Sequence, residues 1–172
     1  MSSRRSGPAP AAALAAALAA ALALAGCQLQ PVYSGGSQGP AQTLLGAVEV
    51  SPIPDKSGFL VHDRLVQRLQ PAQSPRYRLD VVLDDRIDGF GVRGDNSIIR
   101  ERRTLRARYR VVDIGSGAVL LDTTAVSDAG IDVVSSEFAV VAAEATALER
   151  LSMDIADQIV ARLALLGRTA RP

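Results

Sequence analysis

The only cysteine of this chain closes the tetrapeptide Leu24-Ala25-Gly26-Cys27, and that placement limits which residues are available to fold. The segment before it has the build of a secretory signal. Arg4 and Arg5 supply a positive start, and Ala9 to Ala25 form an uncharged, alanine- and leucine-rich run interrupted only by Pro10. Small residues at Ala25 and Gly26 leave the backbone open to a peptidase. A membrane-spanning helix ending in an incidental cysteine fits less well. The run is short and mostly alanine, and it leads into a Gly/Ser/Pro/Gln segment rather than a basic stop signal. The tetrapeptide therefore reads as a lipobox. Residues 1–26 are a signal peptide, and Cys27 is the acylated first residue of the mature chain.

Several consequences follow from that cut. With one cysteine, and that one lipidated, no disulfide framework can staple the fold even in an oxidising compartment. Each buried methylene of an acyl chain adds about 0.8 kcal/mol of membrane affinity, so several chains make a lasting anchor. Gln28 after the cysteine is neutral, which points to the periplasmic face of the outer membrane rather than retention at the inner one. Loss of Arg4 and Arg5 takes Lys+Arg from 19 to 17 against 18 Asp+Glu, so the mature chain is weakly acidic. That balance gives no reason to expect a nucleic-acid partner. Tryptophan is absent, and the core has to be built from Leu, Val, Ile and Ala.

Residues 27–42, rich in Gly, Pro, Ser and Gln, read as a lipidated flexible tether. Thr43 to Val50 is a short candidate strand, ended by Ser51-Pro52-Ile53-Pro54. Asp55 or Ser57 can cap a helix from about Gly58 to Gln70, with Val61, Leu65 and Leu69 on its buried face, Phe59 near its start, and Pro71 ending it. Tyr77, Leu79, Val81 and Leu83 then alternate with Arg78, Asp80, Asp84 and Arg86, the pattern of a half-buried strand. Asp88 to Asn96 is a glycine-rich connection. A long strand runs from about Ile98 to Val112, with Leu105, Ala107, Tyr109 and Val111 inward. Asp113 to Gly117 is a hairpin turn, and Val119, Leu121, Thr123 and Ala125 continue the inner face. Ser136 to Leu166 is the longest helical signal, capped by Ser135 or Ser136. Its stripe comprises Phe138, Val141, Ala145, Leu148, Ile155, Ile159, Leu163 and Leu166. The expected domain, residues 43–168, is α+β in the order β-α-β-β-β-α: two helices on one face of a roughly four-stranded mixed sheet. Residues 169–172 are a disordered tail.

Five segments together resemble the LptE family of lipopolysaccharide-assembly lipoproteins, in its form with a short proline-containing lead after the cysteine. They are Cys27-Gln28-Leu29-Gln30-Pro31-Val32-Tyr33, Ser51-Pro52-Ile53-Pro54-Asp55, Pro75-Arg76-Tyr77-Arg78-Leu79, Thr104-Leu105-Arg106-Ala107-Arg108-Tyr109, and the last helix with Ala143-Glu144-Ala145 and Ile155-Ala156-Asp157-Gln158-Ile159. One departure is Gln28-Leu29-Gln30, where relatives often carry a glycine followed by an aromatic. The resemblance implies a non-enzymatic accessory that plugs an LptD-like β-barrel and helps it assemble and receive lipopolysaccharide, with no cofactor. The residues agree with that. His62 is the only histidine, so histidine triads and multi-histidine metal sites are unavailable, and a lipid-anchored hydrolase is the weakest reading. A second reading is a periplasmic lipoprotein auxiliary to a lipid-transport ATPase, or one that binds a soluble ligand.

Arg100, Arg102, Arg106, Arg108 and Arg110 share parity and so project from one side of a single strand. Arg78 and Arg86 join them, against Asp80, Asp84, Asp122 and Asp128, an excess of three positive residues. Central Arg106, Arg108 and Arg110 have aspartates opposite and read either as cross-strand pairs or as ligand contacts. Toward Arg93, Arg100, Arg102 and Arg103 acids are fewer. These four are the candidate contacts for anionic groups, lipid phosphates or barrel carboxylates, because a guanidinium grips such groups with a planar fork. Arg93-Gly94-Asp95, Gly89-Phe90-Gly91 and the aspartates Asp84, Asp85 and Asp88 match adhesion, dinucleotide and calcium patterns only in part, and read as ordinary strand and loop residues.

Overall fold

A computed structural model describes residues 39–69, 74–92 and 98–169. The expected signal peptide, Cys27, most of the expected tether, Arg93 and residues 170–172 lie outside the described residues. The observed elements run α-β-α-β-β-β-α.

The first, α1 (Pro40–Leu45), was not expected, because Leu44 and Leu45 were read as part of a strand. Ala41, Leu44 and Leu45 stand at i, i+3 and i+4, and all three are buried, which is the helical period. Pro40 at the first helical position loses nothing by lacking an N–H. Only Val48–Val50 become strand β1. The Ser51-Pro52-Ile53-Pro54 lead then turns the chain into α2 (Asp55–Leu69), which begins three residues before the expected Gly58. Ile53 folds back onto this helix so closely that a Cβ on Gly58 would lie 2.6 Å from its carbonyl oxygen. Val61, Leu65 and Leu69 are buried as expected, while Phe59 is 68% exposed.

Strands β2 (Tyr77–Val92), β3 (Ile98–Asp113) and β4 (Val119–Asp132) form an antiparallel meander. β1 adds parallel to the start of β2, completing one sheet in the order β1-β2-β3-β4. The parallel pairing follows from α2, which supplies the crossover that two parallel strands need. β2 continues through the stretch read as a glycine-rich connection: Asp88, Gly89 and Phe90 pair with Arg102, Glu101 and Arg100. Leu79, Val81, Leu105, Ala107, Tyr109, Val111 and Ala125 face the helices and are buried. Val119, expected inward, is 54% exposed. The register slips between Val111, opposite Leu121, and Val112, opposite Val119, and one extra residue on β4 turns Val119 to the other side.

The last helix, α3 (Glu137–Thr169), is about 50 Å long at 1.5 Å per residue. The Ser136 hydroxyl accepts from the Ala139 N–H at 3.4 Å and caps its start. α3 lies against α1, α2, β3 and β4, so all three helices cover one face of the sheet. Leu148, Leu151, Ile155, Ile159 and Leu163 are buried on it. Phe138 and Val141, expected in the same stripe, are 84% and 58% exposed. The helix outruns the core at its N-terminal end.

Candidate functional site

The face of the sheet away from the helices is built by the even-numbered residues of β2, β3 and β4. Arg78, Arg86, Arg100, Arg102, Arg106, Arg108 and Arg110 all project from it, as their parity requires. So do six aspartates, because register places Asp88 opposite Arg102 and Asp132 opposite Arg100 in addition to the four anticipated acids. The excess of three positive residues read from the sequence therefore shrinks to one. Glu49 on β1, opposite Arg78, makes the whole face neutral. Any anion-binding property has to come from local arrangement and not from net charge.

The arrangement is uneven. Arg78 donates to Asp80 at 3.0 Å, Arg86 to Asp84 at 3.0 Å, and Arg108 to both carboxylate oxygens of Asp122 through its Nε and Nη2 at 3.1 and 3.0 Å. Asp80 and Asp122 are held below the usual carboxylate range, first by the hydrogen bonds from Arg78 and Arg108, and Arg110 adds a through-space contribution at both. Arg106 and Arg110, read either as cross-strand pairs or as ligand contacts, make no ion pair among the described residues. Their partners in register, Asp84 for Arg106 and Asp80 and Asp122 for Arg110, are already engaged by other arginines. Sequence parity put the seven arginines and four aspartates it counted on this face, missed Asp88 and Asp132, and could not say which arginine reaches which acid.

At the β2–β3 hairpin end the candidate residues separate. Arg100 donates to Asp132 at 3.1 Å with both side chains largely exposed. Arg102 reaches Asp128 only at 3.9 Å, and its guanidinium lies 5.3 Å from the centre of the Phe90 ring. That stacking holds the charge over an aromatic face while leaving its N–H edges open. Arg103 has the opposite parity and faces the helices. It grips Asp85 with two bonds of 2.9 and 2.7 Å and donates a third, at 2.9 Å, to the Glu144 carbonyl of α3. Its side chain is 13% exposed. The structure thus brings Arg100 and Arg102 together and places Arg103 on the other side of the sheet, tying β2 and β3 to α3. Phe90, part of a glycine-flanked tripeptide discounted in the sequence, belongs with Arg102. Its parity with Asp88 and Arg86 was the available signal.

A family model described as LptE, Lipopolysaccharide-assembly, matches residues 45–163, nearly the whole described fold. Solved structures share that fold at low identity. A lipoprotein from Caulobacter crescentus superposes with a TM-score of 0.60 at 20% identity, covering 74% of this chain and 96% of its own. Rare lipoprotein B from Shewanella oneidensis gives 0.58 at 11% identity, over 72% and 96%. A minor lipoprotein from Acinetobacter baumannii gives 0.58 at 15% identity, over 71% and 93%. No curated protein matches the chain.

Proposed function

Because this chain belongs to the LptE lipopolysaccharide-assembly family, we propose that it is a non-catalytic lipoprotein of the cell envelope that seats in an LptD-like barrel and serves lipopolysaccharide insertion. In this reading Cys27 carries the acyl chains and the outer membrane holds them, so the domain works at the periplasmic face. The observation that carries the site assignment is the loose pairing of Arg102, 3.9 Å from Asp128 and stacked on Phe90. An exposed pair of that kind is worth about 0–1 kcal/mol, so exchanging its partner costs little. A phosphate or carboxylate arriving at the hairpin end gains a short, bidentate, charge-assisted bond instead. Arg100 stands two residues away on the same face, and its exposed pair with Asp132 exchanges by the same logic. Arg93 belongs to the same proposed contact set by sequence. Arg103 braces the hairpin from behind.

The test compares two double charge reversals in the lipidated protein, Arg100→Glu with Arg102→Glu at the hairpin end and Arg78→Glu with Arg108→Glu, whose arginines are held by Asp80 and Asp122. The first pair is expected to weaken barrel co-purification or salt-dependent lipopolysaccharide binding with the fold intact. The second is expected to spare both. Equal behaviour of the two pairs, or no effect of either, would show the arginine face to be solvated surface only. A barrel that fails to co-purify with the parent protein would refute the accessory role and leave the ATPase-linked reading in its place.

A further inference from the structure

The sheet has an edge that the fold leaves unfinished. β1 covers only the first three residues of β2, Tyr77 to Leu79. The Tyr77 N–H donates to the Ala47 carbonyl at 3.0 Å, and the Leu79 carbonyl accepts from the Ser51 N–H at 3.0 Å, so odd-numbered backbone groups of β2 point toward β1. The register with β3 is unbroken from Tyr77 to Phe90, so this alternation persists along the strand. Beyond Leu79 the N–H and C=O groups of Val81, Leu83, Asp85, Ile87 and Gly89 therefore point outward, and they have no backbone partner among the described residues. Pro52 and Pro54 explain why β1 stops: neither can donate to a ladder, and the lead they belong to swings away into α2. The opposite edge, β4, is less open, since Gln158 of α3 donates to the Val126 carbonyl at 3.3 Å.

Where β1 would have continued there is a groove of about 430 Å³. Its floor is the β2 edge from Val81 to Asp85, its wall is Pro54 to Ser57 at the start of α2, and Leu148 lies at its inner side. A strand entering there would meet Leu83 and Leu148 on the helix-covered side and Asp84 on the outer side. Along this edge Asp84 is bonded to Arg86 and Asp85 to Arg103, which leaves Asp55 and Asp88 against Lys56. An occupant is therefore favoured by a basic side chain on its outer face. A second copy of this chain would bring the same acidic edge against itself, and residues 28–38 of this chain contain no lysine or arginine.

Resting on the accessory-subunit reading above, we propose that the β2 edge is a strand-addition site. Its occupant is an extended segment of the barrel-forming partner that alternates apolar and basic side chains. Backbone hydrogen bonds to the five outward residues supply the attachment, and the groove beside Leu83 and Leu148 sets the register.

The experiment is residue-resolved amide hydrogen exchange on the full lipidated protein, alone and in its co-purified barrel complex. The Val82 amide, facing β3 in both states, serves as the internal standard. Exchange at Val81, Leu83 and Asp85 is expected to slow at least about tenfold in the complex, as for amides moved from solvent into a sheet. In a second arm Leu83→Pro, which removes an outward N–H and leaves the β3-facing groups in place, is expected to lower barrel recovery about tenfold. A barrel that co-purifies while these amides exchange as fast as in the free protein overturns this inference alone. Absence of any barrel overturns it together with the functional reading. Protection that is already present in the free protein overturns it too. If that protection is lost on dilution, the edge pairs with a second copy. If it persists, the chain covers its own edge.

Discussion

Replacing Leu151 with alanine tests the division of α3 into a buried body and a projecting start. Leu151 is 1% exposed and sits among Leu148, Ile155 and the sheet-facing core. The change removes three carbons, worth about 2.4 kcal/mol at roughly 0.8 kcal/mol each. The cavity left in a packed interior brings the expected cost to about 2.7–5 kcal/mol. With a urea dependence of about 1.5 kcal/mol per molar, the unfolding midpoint should fall by about 2–3 M. Phe138→Ala removes more atoms from the same helix, yet that ring is 84% exposed and should cost no more than about 0.5 kcal/mol. Both variants are compared by urea unfolding followed by circular dichroism, in a Cys27→Ala background that keeps acyl chains out of the measurement. A Phe138→Ala cost equal to that of Leu151→Ala would mean that the first turns of α3 are packed. The exposed start described here would then be wrong.

Gly58→Ala places a Cβ 2.6 Å from the Ile53 carbonyl oxygen and should destabilise by about 1–3 kcal/mol in the same assay, because backbone has to move. Arg103→Ala leaves Asp85 and the Glu144 carbonyl without their donor and should cost about 1–3 kcal/mol, whereas Arg100→Ala should cost less than about 1 kcal/mol. Matching costs for the two arginines would dissolve the distinction between brace and contact. Asp80, Asp113 and Asp122 have folded pKa values below their unfolded ones, held down first by Arg78, by the Ser116 backbone N–H and by Arg108 respectively. Their stabilising contribution is complete above the unfolded value near 4 and is lost as pH falls through the depressed values, so the urea midpoint should decline below about pH 4. Mass spectrometry of membrane-extracted protein should find Cys27 acylated and N-terminal. A retained residue 26 or an unmodified thiol would contradict the lipobox.

Much of the fold was legible because period and burial coincide in it. The alternation from Tyr77 to Leu83, the Leu105-to-Val111 face and the Val61-Leu65-Leu69 stripe each place one apolar side chain per turn or pleat on the covered side. The failures share a cause, which is that a pattern does not carry its own limits. Leu44 and Leu45 look like strand residues until Ala41, three positions earlier, is seen to complete a helical period behind Pro40. Phe138 and Val141 continue the α3 stripe faultlessly, but a stripe is buried only as far as the opposing layer extends. Val119 follows the alternation correctly and ends on the wrong face because a one-residue slip in β4 inverts parity.

The site follows a stricter version of the same logic. Parity assigns a side chain to a face, so it separates Arg100 and Arg102 from Arg103, and the sequence alone contained that distinction. Nearness along the chain joins arginines that parity divides between the two faces. What parity cannot supply is competition for partners: Asp84 lies opposite Arg106 in register yet bonds Arg86 two residues along its own strand. Exposed ion pairs are worth too little for cross-strand register to dictate them. Local reach therefore leaves Arg106 and Arg110 without an ion pair among the described residues and Arg102 with a loose one, held in place by Phe90. An exposed guanidinium can change partners at little cost, and one bound by three hydrogen bonds beneath a helix cannot. That difference makes Arg102 a candidate for binding and Arg103 a candidate for support.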